Sequence, residues 1–301
     1  MHLKILLKSL RGLFFNQKTE KGMKIKRIAI QGGYGAFHDI AAQHFFEGQS
    51  IEIIPRTTFK ELFKSLKQQQ VDYGIMAIEN SLVGSILPNY ALIRDSGKKI
   101  IGEIFLRIRH NLVALPGQNI NDIREVYSHP MAILQCQDFF KQYTDIRLYD
   151  SLDTALSAKE ISEKKLEGVG AIASSLAAEK YKLEILASGI ETNKFNYTRF
   201  LLLSDKENGI PLSEKNKASI YFTLGHEIGS LSKILMILSF YNMNLSKIQS
   251  LPIVGKVWEY QFYVDLEYDN YDMYKKAFEA IKPFSDKIGI LGEFKKGRTI
   301  L

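Results

Sequence analysis

The chain has 301 residues, 46% of them hydrophobic and 24% charged, which suits two compact domains or one large one with an appendage and excludes a disordered polymer. Its formal charge of +7 is dispersed rather than gathered into a basic stripe with interleaved aromatics, so no nucleic acid is expected as a partner, and a mild positive excess would steer an anionic small substrate. One cysteine, Cys136, excludes an intrachain disulfide and a cysteine-based zinc site, and no apolar run approaches the ~20 residues of a membrane span.

The basic residues are densest over the first 27 residues. "MHLKILLKSLRGLFF" alternates apolar and basic residues without a long apolar core or a small-residue cleavage site. Residues 1–24 are therefore read as an N-terminal extension, disordered or misassigned, with a basic amphipathic surface helix as the alternative. A cytoplasmic protein is expected.

From Arg27 onward strand-like and helix-like patterns alternate. Arg27–Gln31 is a short apolar strand, followed by the glycine turn Gln31-Gly-Gly-Tyr-Gly-Ala-Phe37 and a helical pattern through Phe46. Ile51–Ile54 reads as a strand, Phe59–Gln69 as a helix, and Tyr73–Ile78 as a buried strand. Ile100–Leu115 reads as one or two long strands ended by Pro116-Gly117. Strand Val126–Ser128, helix Met131–Tyr143, strand Ile146–Leu148, helix Ser151–Leu166, strand Val169–Ala173 and helix Ser174–Lys180 follow. Phe195–Ser204, "FNYTRFLLLS", then puts a hydroxyl and a guanidinium at the mouth of a buried strand. The alternation predicts an α/β fold with mainly parallel sheets, whose ligands bind where strand ends meet helix N-termini.

Residues 205–216 read as a polar linker, and beyond it the pattern restarts over 217–301 in the order βαββαβ, a ferredoxin-like module.

Four strand-to-loop junctions place polar groups where a cleft should lie. Gly33 and its neighbours would let backbone N–H groups approach an anion, although the turn lacks the third glycine of a dinucleotide fingerprint. Glu79, Asn80 and Ser81 are equally a helix cap and turn or a binding group. Ser128 or His129 would cap the helix after Pro130. The fourth junction is Asn196-Tyr-Thr-Arg-Phe200. No metal-ligand spacing occurs.

Taken together, these motifs resemble the prephenate dehydratase family over nearly the whole chain from Lys26 to Leu291. The carriers are the turn at Gly32–Phe37, "VDYGIMAIENS" from Val71, "VYSHP" with Ala132 and Gln135-Cys136 after it, "AIAS" at Ala171 and "TRF" at Thr198. The segment after the linker resembles the family's regulatory ACT domain through Gly229, Ser230 and Leu231, through Gln249, Ser250, Leu251 and Pro252, and through Trp258-Glu-Tyr260. The resemblance implies a two-lobed catalytic domain over 25–204, like a type II periplasmic binding protein, with the active site between the lobes. It implies decarboxylative dehydration of prephenate to phenylpyruvate, carbon dioxide and water, with no metal or organic cofactor. L-phenylalanine as effector and a homo-oligomer, dimer or tetramer, are implied as partners. Prephenate and its aminated analogue arogenate both remain open as substrate.

The chemistry assigns roles. Prephenate loses its ring carboxylate as carbon dioxide and its ring hydroxyl as water, so a preorganised donor must meet the departing oxygen. Side chains alternate along a strand, which puts Thr198 and Phe200 on one face and Arg199 on the other. Thr198 is the expected catalytic contact, with Arg199 at the cleft edge holding a carboxylate or anchoring the loop through Glu79 or an aspartate. A guanidinium on the departing carboxylate would stabilise the ground state more than the transition state. Gly33, Asn80, Ser81 and the groups around Ser128, His129, Ala132 and Gln135 are expected to bind substrate, while Phe37 and Phe200 exclude water. Against the family pattern, Ala36 and His38 replace a threonine and a serine of the turn, Ala77 replaces a proline, and Met131 replaces a glutamine. In the regulatory segment Gln249 and Leu251 stand where a glutamate and an arginine are usual. The alternative from another class is a two-lobed ligand-sensing module without catalysis.

Overall fold

The computed structural model describes residues 25–205, 210–225, 227–253, 255–256 and 259–301. The expected extension at 1–24, part of the linker and Trp258 lie outside the described residues.

The first sheet has the path β16-β5-β11-β3-β1-β2, built from β1 (Lys26–Gln31), β2 (Ile51–Arg56), β3 (Tyr73–Asn80), β5 (Lys99–Arg107), β11 (Tyr197–Ser204) and β16 (Thr299–Ile300), with the two-residue β4 (Gly84–Ser85) paired to β3. The second has the order β10-β6-β9-β7-β8, from β6 (Asn111–Ala114), β7 (Glu125–Ser128), β8 (Arg147–Asp150), β9 (Val169–Ala173) and β10 (Glu184–Ala187). In the first lobe β1 lies between β2 and β3, in the second β6 lies between β10 and β9, and the strand that follows each crossing runs antiparallel. The sheets are therefore mixed rather than mainly parallel: β1 pairs β2 and β3 in parallel, but β11 returns from the other lobe and pairs β3 and β5 antiparallel.

Helices α1 (Phe37–Phe45), α2 (Phe59–Lys67) and α3 (Leu87–Ser96) cover the first sheet. Helices α4 (Pro130–Phe140), α5 (Thr154–Lys164) and α6 (Ser175–Lys180) cover the second. The stretch that forms α3 carries no strong amphipathic signal, yet Pro88 lies in its first turn and Gly97, at φ +70°, ends it. Cys136 is buried in the α4 face of the second lobe, and burial raises its thiol pKa.

The third sheet has the order β13-β14-β12-β15, from β12 (Lys217–Thr223), β13 (Asn244–Pro252), β14 (Tyr260–Glu267) and β15 (Lys287–Phe294), all antiparallel. Its connections, through α7 (Ser230–Phe240) and α8 (Tyr271–Ile281), give the expected βαββαβ order. One face is covered by α7 and α8 around Phe222, Ile234, Leu238 and Tyr274. The other lies on the first lobe, where Tyr263, Leu291 and Phe294 share a core with Ile78, Tyr90, Ile93 and Leu201. The last residues return to the first sheet, β16 pairing β5 in parallel.

Candidate active site

Two segments cross between the lobes, residues 108–110 and 188–196, and they bond each other: Ile108 N–H donates to Asn196 O and Ile190 N–H to His110 O, both at 2.8 Å. The second crossing feeds directly into β11. Thr198, opposite Asn80 in the ladder, is the second residue of that strand and is 9% exposed.

The Thr198 hydroxyl lies in a polar chain, not in an apolar interior. Asn80 Nδ2 donates to Thr198 Oγ1 at 3.0 Å and to Asn196 Oδ1 at 2.7 Å. Asn196 Nδ2 donates to Gln135 Oε1 at 2.9 Å, and His110 Nε2 lies 2.9 Å from the same oxygen. Asn80 Oδ1 in turn accepts from the N–H groups of Leu82 and Val83, at 2.9 and 3.1 Å. The chain spans both lobes and both crossings. Beside it Leu82, Val83, Met131, Leu134, Gln135, Thr192 and Asn193 line a cavity of about 480 Å³. Phe37 meets the His110 ring edge-on at 5.5 Å.

Arg199 leaves β11 on the opposite face, as strand alternation requires, but it does not reach the cleft edge. Its guanidinium is buried under the third sheet, where Nε donates to Glu103 Oε2 at 2.6 Å and a second nitrogen pairs with Asp265. Lys217 Nζ lies 2.9 Å from Glu103 Oε1, and the Ser219 hydroxyl donates to Asp265. Burial alone would raise the Asp265 carboxyl, but Arg199, Ser219 and Lys217 outweigh it and hold it below the ordinary carboxylate value. Glu79 behaves likewise: it pairs with Lys247 of β13 at 2.7 Å, facing away from the cleft. Neither Arg199 nor Glu79 meets the cleft, which corrects both cleft assignments; the aspartate that Arg199 does anchor to is Asp265, in the third sheet. Phe200 is 1% exposed and packs edge-on to His38 at 5.0 Å, so its ring belongs to the core rather than to the substrate.

The glycine turn receives an anion, but the anion is the protein's own. Gly33 N–H donates to Asp153 Oδ1 at 3.2 Å, and the same oxygen caps α5 through the N–H groups of Ala155 and Leu156. Gly35, at φ +81°, lies so close to α6 that a Cβ there would stand 2.6 Å from Ala177 Cα, and the Ser174 hydroxyl donates to Gly35 O at 2.6 Å. The turn therefore clamps the lobes together, and Gly33 is not open to a substrate carboxylate.

Other expected contacts are similarly committed. The Ser128 hydroxyl is fully buried and donates to Ile172 O at 2.8 Å. Ala132 N–H donates to His129 O at 2.9 Å. Ser81 ties the β3 turn to the second crossing, its hydroxyl donating to Phe195 O at 2.8 Å and accepting from Tyr197 N–H at 2.9 Å. Of the two candidate caps, His129 performs the role: Nδ1 accepts from Met131 N–H at 3.2 Å, and the residue is exposed. Its proximity to Asp153 brings the N-termini of α1, α4 and α5 to one boundary.

Two departures from the family pattern meet each other. Ala77 sits at a bulge where β11 skips Ile78, and its N–H, which a proline would lack, donates to His38 Nε2 at 3.2 Å. Burial lowers the His38 pKa to about 3, so the imidazole stays a neutral acceptor.

In the third sheet, Gly229 is left-handed (φ +79°) at the start of α7, and the Ser230 hydroxyl lies 3.1 and 3.0 Å from the carbonyls of Gly225 and Glu227. Leu231 packs on the module's core. A cavity of about 230 Å³ beside this turn is lined by Gly225, Glu227, Ser230, Lys233 and residues 283–286. None of Gln249, Ser250, Leu251 and Pro252 lines it. Gln249 Nε2 donates to Ser250 O at 3.0 Å, Leu251 packs toward the first lobe, and Pro252 ends β13 opposite Tyr260.

His110, Asp153 and, as a site residue, Asn196 escaped the sequence reading. The signal for His110 was a polar Arg-His-Asn interrupting an apolar run, which marks a crossing rather than a strand interior.

A two-lobed α/β protein with a polar chain strung across its hinge, ending on a hydroxyl at a strand mouth, has the form of a small-molecule enzyme. The prephenate dehydratase family model matches residues 28–208. Arogenate dehydratase/prephenate dehydratase 2, chloroplastic, of Arabidopsis thaliana is 35% identical over 95% of this chain and 77% of its own length. Among solved structures, a prephenate dehydratase from Arthrobacter aurescens in complex with L-Phe superimposes with a TM-score of 0.80 at 25% identity, covering 89% of each chain. GqqA, described as a quorum-quenching acylase, does so at 0.80 and 28%, covering 90% of this chain and 98% of its own. The chain belongs to the prephenate dehydratase family. Among the described residues no helix is long and apolar enough to cross a membrane.

Proposed function

We propose that the chain removes carbon dioxide and water from prephenate at the lobe boundary, with Thr198 as the donor to the departing ring oxygen. The observation that carries this reading is the Asn80 contact. Because Asn80 Nδ2 donates to Thr198 Oγ1, the threonine's own hydrogen is left to point elsewhere, toward an acceptor. The C–C bond to the ring carboxylate breaks and its electron pair enters the ring. The C–O bond breaks as Thr198 donates a hydrogen bond to the oxygen, which takes its second proton from solvent and leaves as water. A preorganised donor at that oxygen is worth about 3–4 kcal/mol.

With the Asn80 amide committed to Thr198, Asn196, Leu82 and Val83, His129 and the Gln135 amide nitrogen remain the binding candidates, with Phe37 as a wall. That Arg199 is engaged elsewhere suits the chemistry, since gripping the departing carboxylate would hold back the reaction. An acylase reading is less well supported. Thr198 is bonded by an amide donor, and among the described residues no base is bonded to it to activate it as a nucleophile.

The βαββαβ module over 217–301 is read as a regulatory ACT domain, and the L-Phe in the Arthrobacter aurescens relative supports L-phenylalanine as its effector. Because the Gly229 turn and Gln249–Pro252 do not line one cavity, an effector touching both would sit between subunits of a homo-oligomer. Incubating the purified protein with prephenate and following phenylpyruvate absorbance in alkali tests the main reading; a rate equal to the uncatalysed background would overturn it. Arogenate in parallel decides the preferred substrate.

A further inference from the structure

The amide orientations along the hinge are dictated from one end. The backbone N–H groups of Leu82 and Val83 both donate to one oxygen of Asn80, which fixes that atom as Oδ1 and turns Nδ2 toward Thr198 and Asn196. Asn196 must therefore present Oδ1 to Asn80 and Nδ2 to Gln135. Gln135 must present Oε1 and, since that oxygen already accepts from Asn196, the His110 nitrogen 2.9 Å away has to be a donor.

From this we infer that His110 is a positioning residue for the dehydration: its Nε2–H tautomer holds Gln135 and Asn196 in the orientation that leaves the Thr198 hydrogen free for the departing oxygen. Were the hydrogen on Nδ1 instead, Nε2 and Gln135 Oε1 would be two acceptors face to face. Gln135 would rotate to donate, its NH₂ would then confront the Asn196 NH₂, and the strain would pass to Asn80. The surroundings hold the imidazole in place: its backbone N–H donates to Glu191 Oε2 at 2.9 Å, the Phe37 ring meets its face edge-on, and it is 2% exposed. Nδ1 is buried with no partner among the described residues, so no acceptor there draws the hydrogen away from Nε2. Burial lowers the pKa of the group, outweighing Gln135 and Glu191, which keeps it neutral.

The inference rests on Thr198 being the donor, and the experiment separates the two. Imidazole nitrogen shifts of the folded wild-type protein at neutral pH, with the His110 resonance assigned through its proton contacts to the Phe37 ring, should report the neutral Nε2–H form. An Nδ1–H form would overturn the proposal, and this holds whether or not any variant folds. Kinetically, His110→Gln, which restores an N–H near Nε2, should keep kcat within about tenfold, whereas His110→Asn, too short to reach Gln135, should lower it about a hundredfold with KM within about threefold. Equal kcat in the two variants would also overturn it. Thr198→Val is assayed beside them. Loss of activity there, with both His110 variants active, removes His110 and keeps Thr198; full activity in Thr198→Val removes the donor assignment itself.

Discussion

Thr198 and Arg199 are consecutive residues of β11 whose side chains leave the strand on opposite faces. Thr198 Oγ1 is 3.0 Å from Asn80 Nδ2 at the lobe boundary, while Arg199 Nε is 2.6 Å from Glu103 beneath the third sheet. On β3 the neighbouring pair Asn80 and Glu79 is divided the same way, Glu79 reaching Lys247. The two side chains that form the start of the polar chain thus have sequence neighbours anchored to the third sheet.

That anchorage should be costly to break. Arg199→Met leaves Glu103 and Asp265 as buried carboxylates without their guanidinium, with Lys217, Ser219 and the Gly297 N–H remaining. Loss of about 3–5 kcal/mol is expected in urea unfolding. A change under about 1 kcal/mol would show that the third sheet is held by its apolar contacts alone.

Reversing the hydrogen bond to the threonine should cost activity. Asn80→Asp keeps the acceptor for Leu82 and Val83 but replaces the donor, so the Thr198 hydrogen would turn toward the new carboxylate and away from substrate. A kcat about a hundredfold lower is expected, together with some loss of melting temperature because the carboxylate also faces Asn196 Oδ1. Wild-type kcat would mean that the orientation of the hydroxyl is irrelevant.

His38 and Ala77 should behave as a coupled pair. His38→Ser alone leaves the Ala77 N–H buried and unpaired, a loss of about 1–3 kcal/mol, whereas His38→Ser with Ala77→Pro removes the donor as well and should recover most of it. The pH dependence has a definite sign. With a folded pKa of about 3, below the ordinary histidine value near 6.5, the unfolded chain binds the extra proton. His38 therefore leaves stability untouched above about pH 6.5 and lowers it progressively as the pH falls toward about 3. Urea midpoints measured across that range should flatten in the double variant; additive effects and an unchanged profile would remove the coupling.

For the regulatory reading, a thermal-shift titration with L-phenylalanine is decisive. Saturation at one hundred times Kd would add about 2.7 kcal/mol and raise the melting temperature. No shift at any concentration would argue that Gln249 and Leu251 have replaced the binding groups.

Much of this arrangement was legible in the sequence because it depends on local rules. Strand alternation separates Thr198 from Arg199, the Pro130 signal sets the start of α4, and the βαββαβ order emerges from periodicity. What was hidden depends on how distant segments meet. Arg199 finds Asp265 only because the third sheet lies on the first lobe. Gly33 is closed off by Asp153, a residue 120 positions away. The antiparallel course of β11 follows from two lobe crossings, which no local pattern encodes. His110 and Gln135 come together only once both lobes and both crossings are built.

The most direct measurement of the central claim is the turnover of Thr198→Val, compared with Thr198→Ser, in the prephenate assay. The valine variant, matched in shape and lacking only the hydroxyl, should fold normally and lose about 10²–10³ in kcat, while serine retains most of the activity. A folded Thr198→Val enzyme that forms phenylpyruvate at the wild-type rate would contradict the account.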